Sequence, residues 1–213
     1  MRLIVTRPYY DPATKYISSW AQEIISFAKS NGFNVVDLEK EKANRKDFES
    51  RVKKLDPNLV FLNGHGADDC VCGQDEEVLV KAGENHDVLQ GKITYSVSCS
   101  SGKELGPEVV KDGKSTFIGY EKEFVLIANL RHKGKLNDDP SAKPFMESSN
   151  LVMLSLLKGN TAKESSDKSK NKFEEHVARL GSSTVDFDTI RAMQALRWNA
   201  RHQVCLGNQG ATL

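Results

Sequence analysis

The sequence predicts an α/β domain, a mostly parallel sheet flanked by helices on both faces. Three observations carry that expectation. From residue 2 to residue 62, short apolar runs alternate with longer segments of helical spacing in the order βαβαβ, the pattern of a parallel sheet with crossover helices. Two runs, residues 59–66 (LVFLNGHG) and 93–102 (ITYSVSCSSG), share one form: a buried strand that ends in a polar residue and a glycine-bearing turn. The chain has 213 residues, 38% hydrophobic and 28% charged, an ordinary globular composition and enough length for one large α/β domain.

Each element has its own signal. Residues 2–7 (RLIVTR), closed by Pro8, read as the first strand. Asp11-Pro12 is a helix start, with Asp as N-cap and Pro at the first position. Ile17, Trp20, Ala21, Ile24, Ile25, Phe27 and Ala28 then keep helical spacing until Asn31-Gly32 stops it. Residues 33–38 form a second strand. Residues 44–55 form a second helix, with Phe48, Val52 and Leu55 on one side and Asp56-Pro57 as its end. Residues 59–62 are the third strand and 93–98 the fourth; between them, 75–81 reads as either an edge hairpin strand or a short helix. Residues 103–111 start a helix, 115–120 are the fifth strand, and 124–130 continue as strand or helix.

The polar stretch 131–144, with two prolines, reads as an exposed loop. Residues 145–157 are a helix. Thr161 and Glu164 fit a capping box that opens another. The early part of that helix (SSDKSKNK) reads as a solvated face or mobile loop, becoming amphipathic at Phe173, Val177 and Leu180. The last helix spans 186–204, with Phe187, Ile190, Met193, Ala195 and Leu196 inward; Trp20 and Trp198 read as core or interface residues, and His176 and His202 as helix-surface residues. No repeat or linker divides the chain, so residues 1–213 are expected to form one domain, with 1–124 as sheet core and 145–213 as C-terminal helices packed on it.

Composition narrows the partners. The formal net charge is +1, which favours neither nucleic acid nor an anionic membrane surface. No apolar run reaches the roughly 18 residues of a membrane helix, and the N-terminus turns polar too soon for a signal peptide. Four cysteines, Cys70, Cys72, Cys99 and Cys205, do not make a disulfide framework in a chain this long. The expectation is a reduced, cytoplasmic protein. Neither a complete Walker-type G-x-x-x-x-G-K-[ST] nor G-x-G-x-x-G is present, so no nucleotide or other cofactor is expected.

The chemistry concentrates at two strand ends. Parallel strands that end together place His65 and Cys99 side by side at the carboxyl edge of the sheet, where open α/β sheets hold their ligands. A free thiol is mostly protonated at neutral pH, and the thiolate is the nucleophile. An adjacent imidazole takes that proton and later returns it to a leaving amine. The N–H of Gly66 and that of Cys99 are placed to hold the oxyanion of a tetrahedral intermediate. Gly64, Gly66, Ser100, Ser101 and Gly102 leave room for a substrate backbone. Asp11, Asp37 and the charge cluster at 39–42 show no spacing that carries chemistry.

The order of these motifs, His-Gly after one strand and Cys after the next, resembles the caspase-like cysteine peptidases, a group including caspases, gingipains, clostripain, separase and the bacterial CHAT proteases. The resemblance covers roughly residues 2–124 and rests on NGHG and SVSCSSG. It implies a single caspase-hemoglobinase domain and a cysteine endopeptidase acting on a protein or peptide. His65 would be general base and acid, Cys99 the nucleophile, and Gly66 with Cys99 the oxyanion-hole donors. Caspases carry Gln-Ala before their cysteine, where Val97-Ser98 stands here. Their glycine follows the cysteine by two positions, whereas Gly102 follows by three, and their histidine lies further upstream, by about 50 residues. A prokaryotic relative of the CHAT, gingipain or clostripain kind therefore fits better than a caspase proper.

The resemblance also places Val97, two residues before the cysteine, in the first specificity pocket. Asp68, Asp69, Glu121 and Glu123 are the nearby acidic residues; one of them at the pocket floor would select Lys or Arg. The family often matures by a cut after the cysteine, for which the loop offers Arg131, Lys133 and Lys135, and it is often held latent until an activating or inhibitory protein partner acts. Competing readings are a catalytically silent regulatory domain on the same fold, a small-molecule thiol amidase, and a zinc site using Cys70, Cys72, His65 and His86. C-x-C lacks the spacing of common zinc knuckles, and no second pair follows; no metal site is expected.

Overall fold

A computed structural model describes residues 1–132, 135–182 and 186–213. Its centre is a six-stranded sheet in the order β2-β1-β3-β7-β8-β9. The strands are β1 (Arg2–Arg7), β2 (Asn34–Glu39), β3 (Leu59–Asn63), β7 (Ile93–Val97), β8 (Thr116–Tyr120) and β9 (Gln203–Gly207). All neighbours pair in parallel except β8 and β9, which are antiparallel. A separate three-stranded antiparallel meander, β4 (Gly66–Ala67), β5 (Cys70–Cys72) and β6 (Val78–Lys81), follows β3. The stretch at 75–81, read as either a strand or a short helix, divides: Asp75 and Glu76 belong to a 3-10 turn, Gln74–Glu76, and Val78–Lys81 is strand β6.

Period-two alternation sends side chains to two cores. Leu3, Val5, Leu59, Phe61, Tyr95 and Ile118 face one side, against helices α1 (Pro12–Ser30) and α4 (Lys143–Leu157). Ile4, Val60, Leu62 and Phe117 face the other, against α2 (Arg45–Leu55), α3 (Leu105–Val109) and the meander. Burial on both faces explains why the parallel strands read as continuous apolar runs. Local signals set the helix ends. Asp11 and Thr14 form a reciprocal capping box on α1, Asn44 caps α2, and Thr161 with Glu164 caps α5 (Ala162–Gly181).

The C-terminal third differs from the sequence expectation in four places. The last helix, α6 (Phe187–His202), stops at His202, and the chain turns into β9, which pairs with β8 from Thr116↔Gly207 to Tyr120↔Gln203. Phe187 and Ile190 are exposed rather than inward. The Ser/Lys run is not a uniformly solvated face: Ser165, Ser166 and Ser169 are buried, and Ser169 Oγ donates to Ser148 O at 2.7 Å. Small side chains let α5 close on α4, and the lysines fill the other side. His176, read as a surface residue, is buried beside Glu147. The loop after β8 is also partly anchored. Asp139 is fully buried and accepts hydrogen bonds from Tyr16 Oη at 2.8 Å and Asn129 N at 2.7 Å. Arg131 is exposed and Lys133 lies outside the described residues.

Residues 124–130 are neither strand nor helix. They run as a segment that packs on the apolar side of α6 and is hydrogen-bonded to it through the buried Asn199. Its Nδ2 donates to Val125 O at 2.8 Å and its Oδ1 accepts from Val125 N at 2.9 Å. Removing that amide leaves two backbone groups unpaired, each costing about 1–3 kcal/mol when buried. Asn199→Ala is expected to lower unfolding stability by about 2–4 kcal/mol in urea titrations, and a loss below about 0.5 kcal/mol would show that the segment is held by other contacts.

Candidate active site

The sheet order reverses direction at β1, with β2 on one side and β3 on the other. Chains leaving β1 and β3 diverge to opposite faces there, the usual position of a ligand crevice in such sheets. The tops of the two strands are tied by a buried pair: Thr6 Oγ1 accepts from Asn63 N at 3.0 Å, and Asn63 Nδ2 donates to Thr6 O at 2.9 Å. This fixes the loop that begins α1 against the loop that carries His65.

His65 and Cys99 come together by register. β3 and β7 pair in parallel through Asn63↔Val97, and each functional residue lies two positions past that last pair. Both line one pocket of about 80 Å³. Its walls are Ala13, Thr14 and Ile17 from α1, Val97 and Ser98 from the end of β7, and Phe124 and Leu126 from the segment 124–130. Gly64 also lines it. Its φ of +154° favours glycine, and a Cβ there would sit 2.0 Å from Cys72 O, so the turn before His65 tolerates no side chain.

The histidine has a partner that the sequence reading missed. His65 Nε2 lies 2.5 Å from Asp11 Oδ2. The other carboxylate oxygen, Oδ1, accepts from Thr14 N at 2.7 Å as the cap of α1. Burial pushes the Asp11 carboxyl up, but the Thr14 N–H and the His65 ring outweigh it and hold it below its ordinary value. Asp11 is therefore an acceptor, Nε2 carries the ring proton, and Nδ1 of the neutral ring is left to accept another. The N-cap role hid the second role. The carboxyl-edge rule that selects His65 and Cys99 also covers Asp11, which follows β1 in the same sheet.

Cys99 is a thiol at rest. Burial raises its pKa, the Phe124 N–H opposes this by hydrogen-bonding the sulfur, and the Glu123 carboxylate raises it further. Among the described residues no hydrogen bond joins Cys99 to His65. The turn after it is anchored on the end of β8: Ser100 N donates to Lys122 O and Gly102 N to Tyr120 O. Ser100 takes a left-handed φ of +57°, uncommon for a residue with a side chain. Beneath the turn, Ser98 Oγ sits 2.7 Å from Ser96 Oγ and donates to Ser101 Oγ at 2.8 Å, which accounts for the serine-rich sequence.

Two amides, those of Gly66 and Cys99, belong to backbone packed together at the cysteine turn. Cys72 N donates to His65 O at 2.9 Å, which makes Gly66–Val71 a non-hydrogen-bonded antiparallel pair and turns the Gly66 N–H out of the meander. A Cβ on Gly66 would come within 2.7 Å of Cys99 O, so this strand lies directly against the cysteine turn. The Cys99 amide donates to no acceptor among the described residues.

Of the other sequence-selected residues, Val97 lines the pocket, Glu123 lies outside the lining but near enough for its carboxylate to act on Cys99, and the rest are placed apart. Asp68 pairs with Lys103, Asp69 Oδ2 lies 3.7 Å from Lys81 Nζ, and Glu121 Oε1 lies 3.0 Å from His202 Nδ1. The Glu123 carbonyl accepts from Trp198 Nε1 at 2.9 Å. Cys70 and Cys72 lie on β5, and burial raises both thiols, Cys72 to about 12. His86 Nδ1 accepts from Gly83 N at 3.1 Å. Among the described residues no group of three or more His, Cys, Asp or Glu side chains is arranged to hold a metal ion, and no helix is long and apolar enough to cross a membrane. Comparison with protein-family models and with curated protein sequences gives no match.

Because the resting thiol is protonated above its ordinary value of 9.0, thiolate accumulates only as pH rises through and beyond that value. Alkylation of Cys99 by iodoacetamide, followed by peptide mapping, is expected to be slow at pH 7 and to accelerate past pH 9. A rate already at its plateau at pH 7 would mean a preformed thiolate–imidazolium pair and contradict this geometry.

Proposed function

We propose that the chain is a caspase-like cysteine endopeptidase in which Cys99 attacks a peptide carbonyl and His65, oriented by Asp11, moves the proton. The observation that carries the reading is the parallel register that sets His65 and Cys99 around one pocket, with the His65 ring oriented by a carboxylate. As the sulfur attacks the carbonyl carbon, its proton passes to His65 Nδ1 and the carbonyl electrons move to oxygen. The Gly66 and Cys99 N–H groups hold that oxyanion. His65 then gives its proton to the leaving amine, the C–N bond breaks, and a thioester remains on Cys99. A water, losing a proton to His65, attacks the thioester; the acid leaves and the thiol is restored.

Asp11 stabilises the imidazolium formed in both halves of the cycle and keeps the ring in one tautomer, the part an aspartate plays in serine-protease triads. Its substitution by asparagine is informative because Asn is as good an N-cap as Asp. The helix start is kept, while the charge and the acceptor of the Nε2 proton are lost. Reaction with a peptidyl acyloxymethyl ketone, read by intact mass, is expected to be abolished in Cys99→Ala. The labelling rate should fall by roughly 10²-fold or more in His65→Ala and in Asp11→Asn, in the range of general acid–base contributions. Equal labelling of wild type and Cys99→Ala would refute the assignment of the nucleophile. An unchanged rate in Asp11→Asn would remove Asp11 from the mechanism.

A further inference from the structure

Resting on the peptidase reading, we propose that the pocket beside Cys99 seats a short aliphatic side chain, valine or leucine, of the residue whose carbonyl is attacked. The walls that do not belong to the catalytic groups are Ile17, Val97, Phe124 and Leu126, with Ala13. Ile17 and Val97 are buried members of the main core, so this face of the pocket is rigid and apolar.

The two hydroxyls in the lining are already engaged. Thr14 Oγ1 lies 2.8 Å from Asp11 Oδ1 and accepts from Asp11 N at 3.1 Å. Ser98 Oγ is held between Ser96 and Ser101. Neither is free to recognise a polar substrate group. Of the four acidic residues that would select Lys or Arg, Asp68, Asp69 and Glu121 each face a protein cation or His202 instead, and Glu123, whose carboxylate acts on the Cys99 thiol from an exposed position, does not line the pocket. A lysine, arginine or aspartate entering here loses hydration without gaining a partner among Ala13, Ile17, Val97, Phe124 and Leu126, which is costly.

Size narrows the choice further. An apolar cavity of about 150 Å³ holds benzene, and this pocket is about 80 Å³. That is room for the three or so carbons of a branched aliphatic side chain rather than an aromatic ring. It follows that the enzyme does not cut its own loop after Arg131 or Lys135.

The test uses the full chain and fluorogenic tetrapeptides that differ only in the last residue: Ala, Val, Leu, Phe, Lys, Arg or Asp. Val and Leu are expected to exceed Ala by about tenfold in kcat/KM, the value of a filled apolar pocket. They should exceed Lys, Arg, Asp and Phe by more than that. Leu126→Asp changes a half-buried position outside the sheet; its folded fraction is counted by acyloxymethyl-ketone titration. In this variant the ratio of Lys or Arg to Leu is expected to rise at least tenfold. Cleavage that needs Cys99 but is fastest after Lys, Arg, Asp or Phe overturns the pocket assignment and leaves the peptidase reading standing. A Lys-to-Leu ratio unmoved by Leu126→Asp also overturns it. Absence of any cleavage that is lost in Cys99→Ala overturns both.

Discussion

The pairing of β3 with β7 is the constraint on which the rest of this structure depends. The ladder runs in parallel from Leu59↔Ile93 to Asn63↔Val97, and parallel strands place equivalent positions at the same end of the sheet. His65 and Cys99 stand two residues beyond the last pair on their respective strands. A slip of one residue in this ladder would turn every side chain of one strand to the other face, moving Phe61 and Tyr95 out of their stacked contact at 5.4 Å. The packing that holds the core and the geometry that assembles the site are the same requirement. The Thr6–Asn63 hydrogen bonds extend it to β1, so the cap of α1 arrives beside the histidine.

Charge is divided so that the proton has one path. The Asp11 carboxyl is held low, mainly through the Thr14 amide and the His65 ring acting against its burial, while burial holds the Cys99 thiol high. The lowered carboxylate contributes stability that is present above its ordinary value of 3.8 and is lost as pH falls through its lower folded value. The raised thiol acts in the other direction: the fold favours the protonated form, and that preference costs stability as pH rises above 9.0. Between these limits the site holds a carboxylate and a neutral thiol on either side of the His65 ring.

Much of the first half of the fold is legible in the sequence because each element carries its own punctuation. Asp11-Pro12 and Thr161-x-x-Glu164 mark helix starts by hydrogen bonds that the structure contains. Apolar runs mark strands because both sheet faces are covered. His65 and Cys99 are legible for the same reason, as polar residues at the ends of such runs. What is not legible depends on contacts between distant segments. Asp11 looks complete as a cap, and its second oxygen acquires meaning only when β1 is set beside β3. β9 is hidden because helical spacing runs on into Gln203 and Val204, and the free edge of β8 decides the matter. The serines of α5 look solvated until α4 closes on them, and Asp68, Asp69 and Glu121 look available until their partners arrive.

The most direct test of the central claim is to trap the acyl intermediate. Wild-type protein reacting with a peptide p-nitrophenyl ester whose acyl residue is leucine would be acid-quenched at successive times and read by intact mass and peptide mapping. The account predicts a transient mass increase equal to the peptidyl acyl group, mapped to Cys99 and absent in Cys99→Ala. Turnover with no adduct, or an adduct on Cys70, Cys72 or Cys205 that persists in Cys99→Ala, would contradict it.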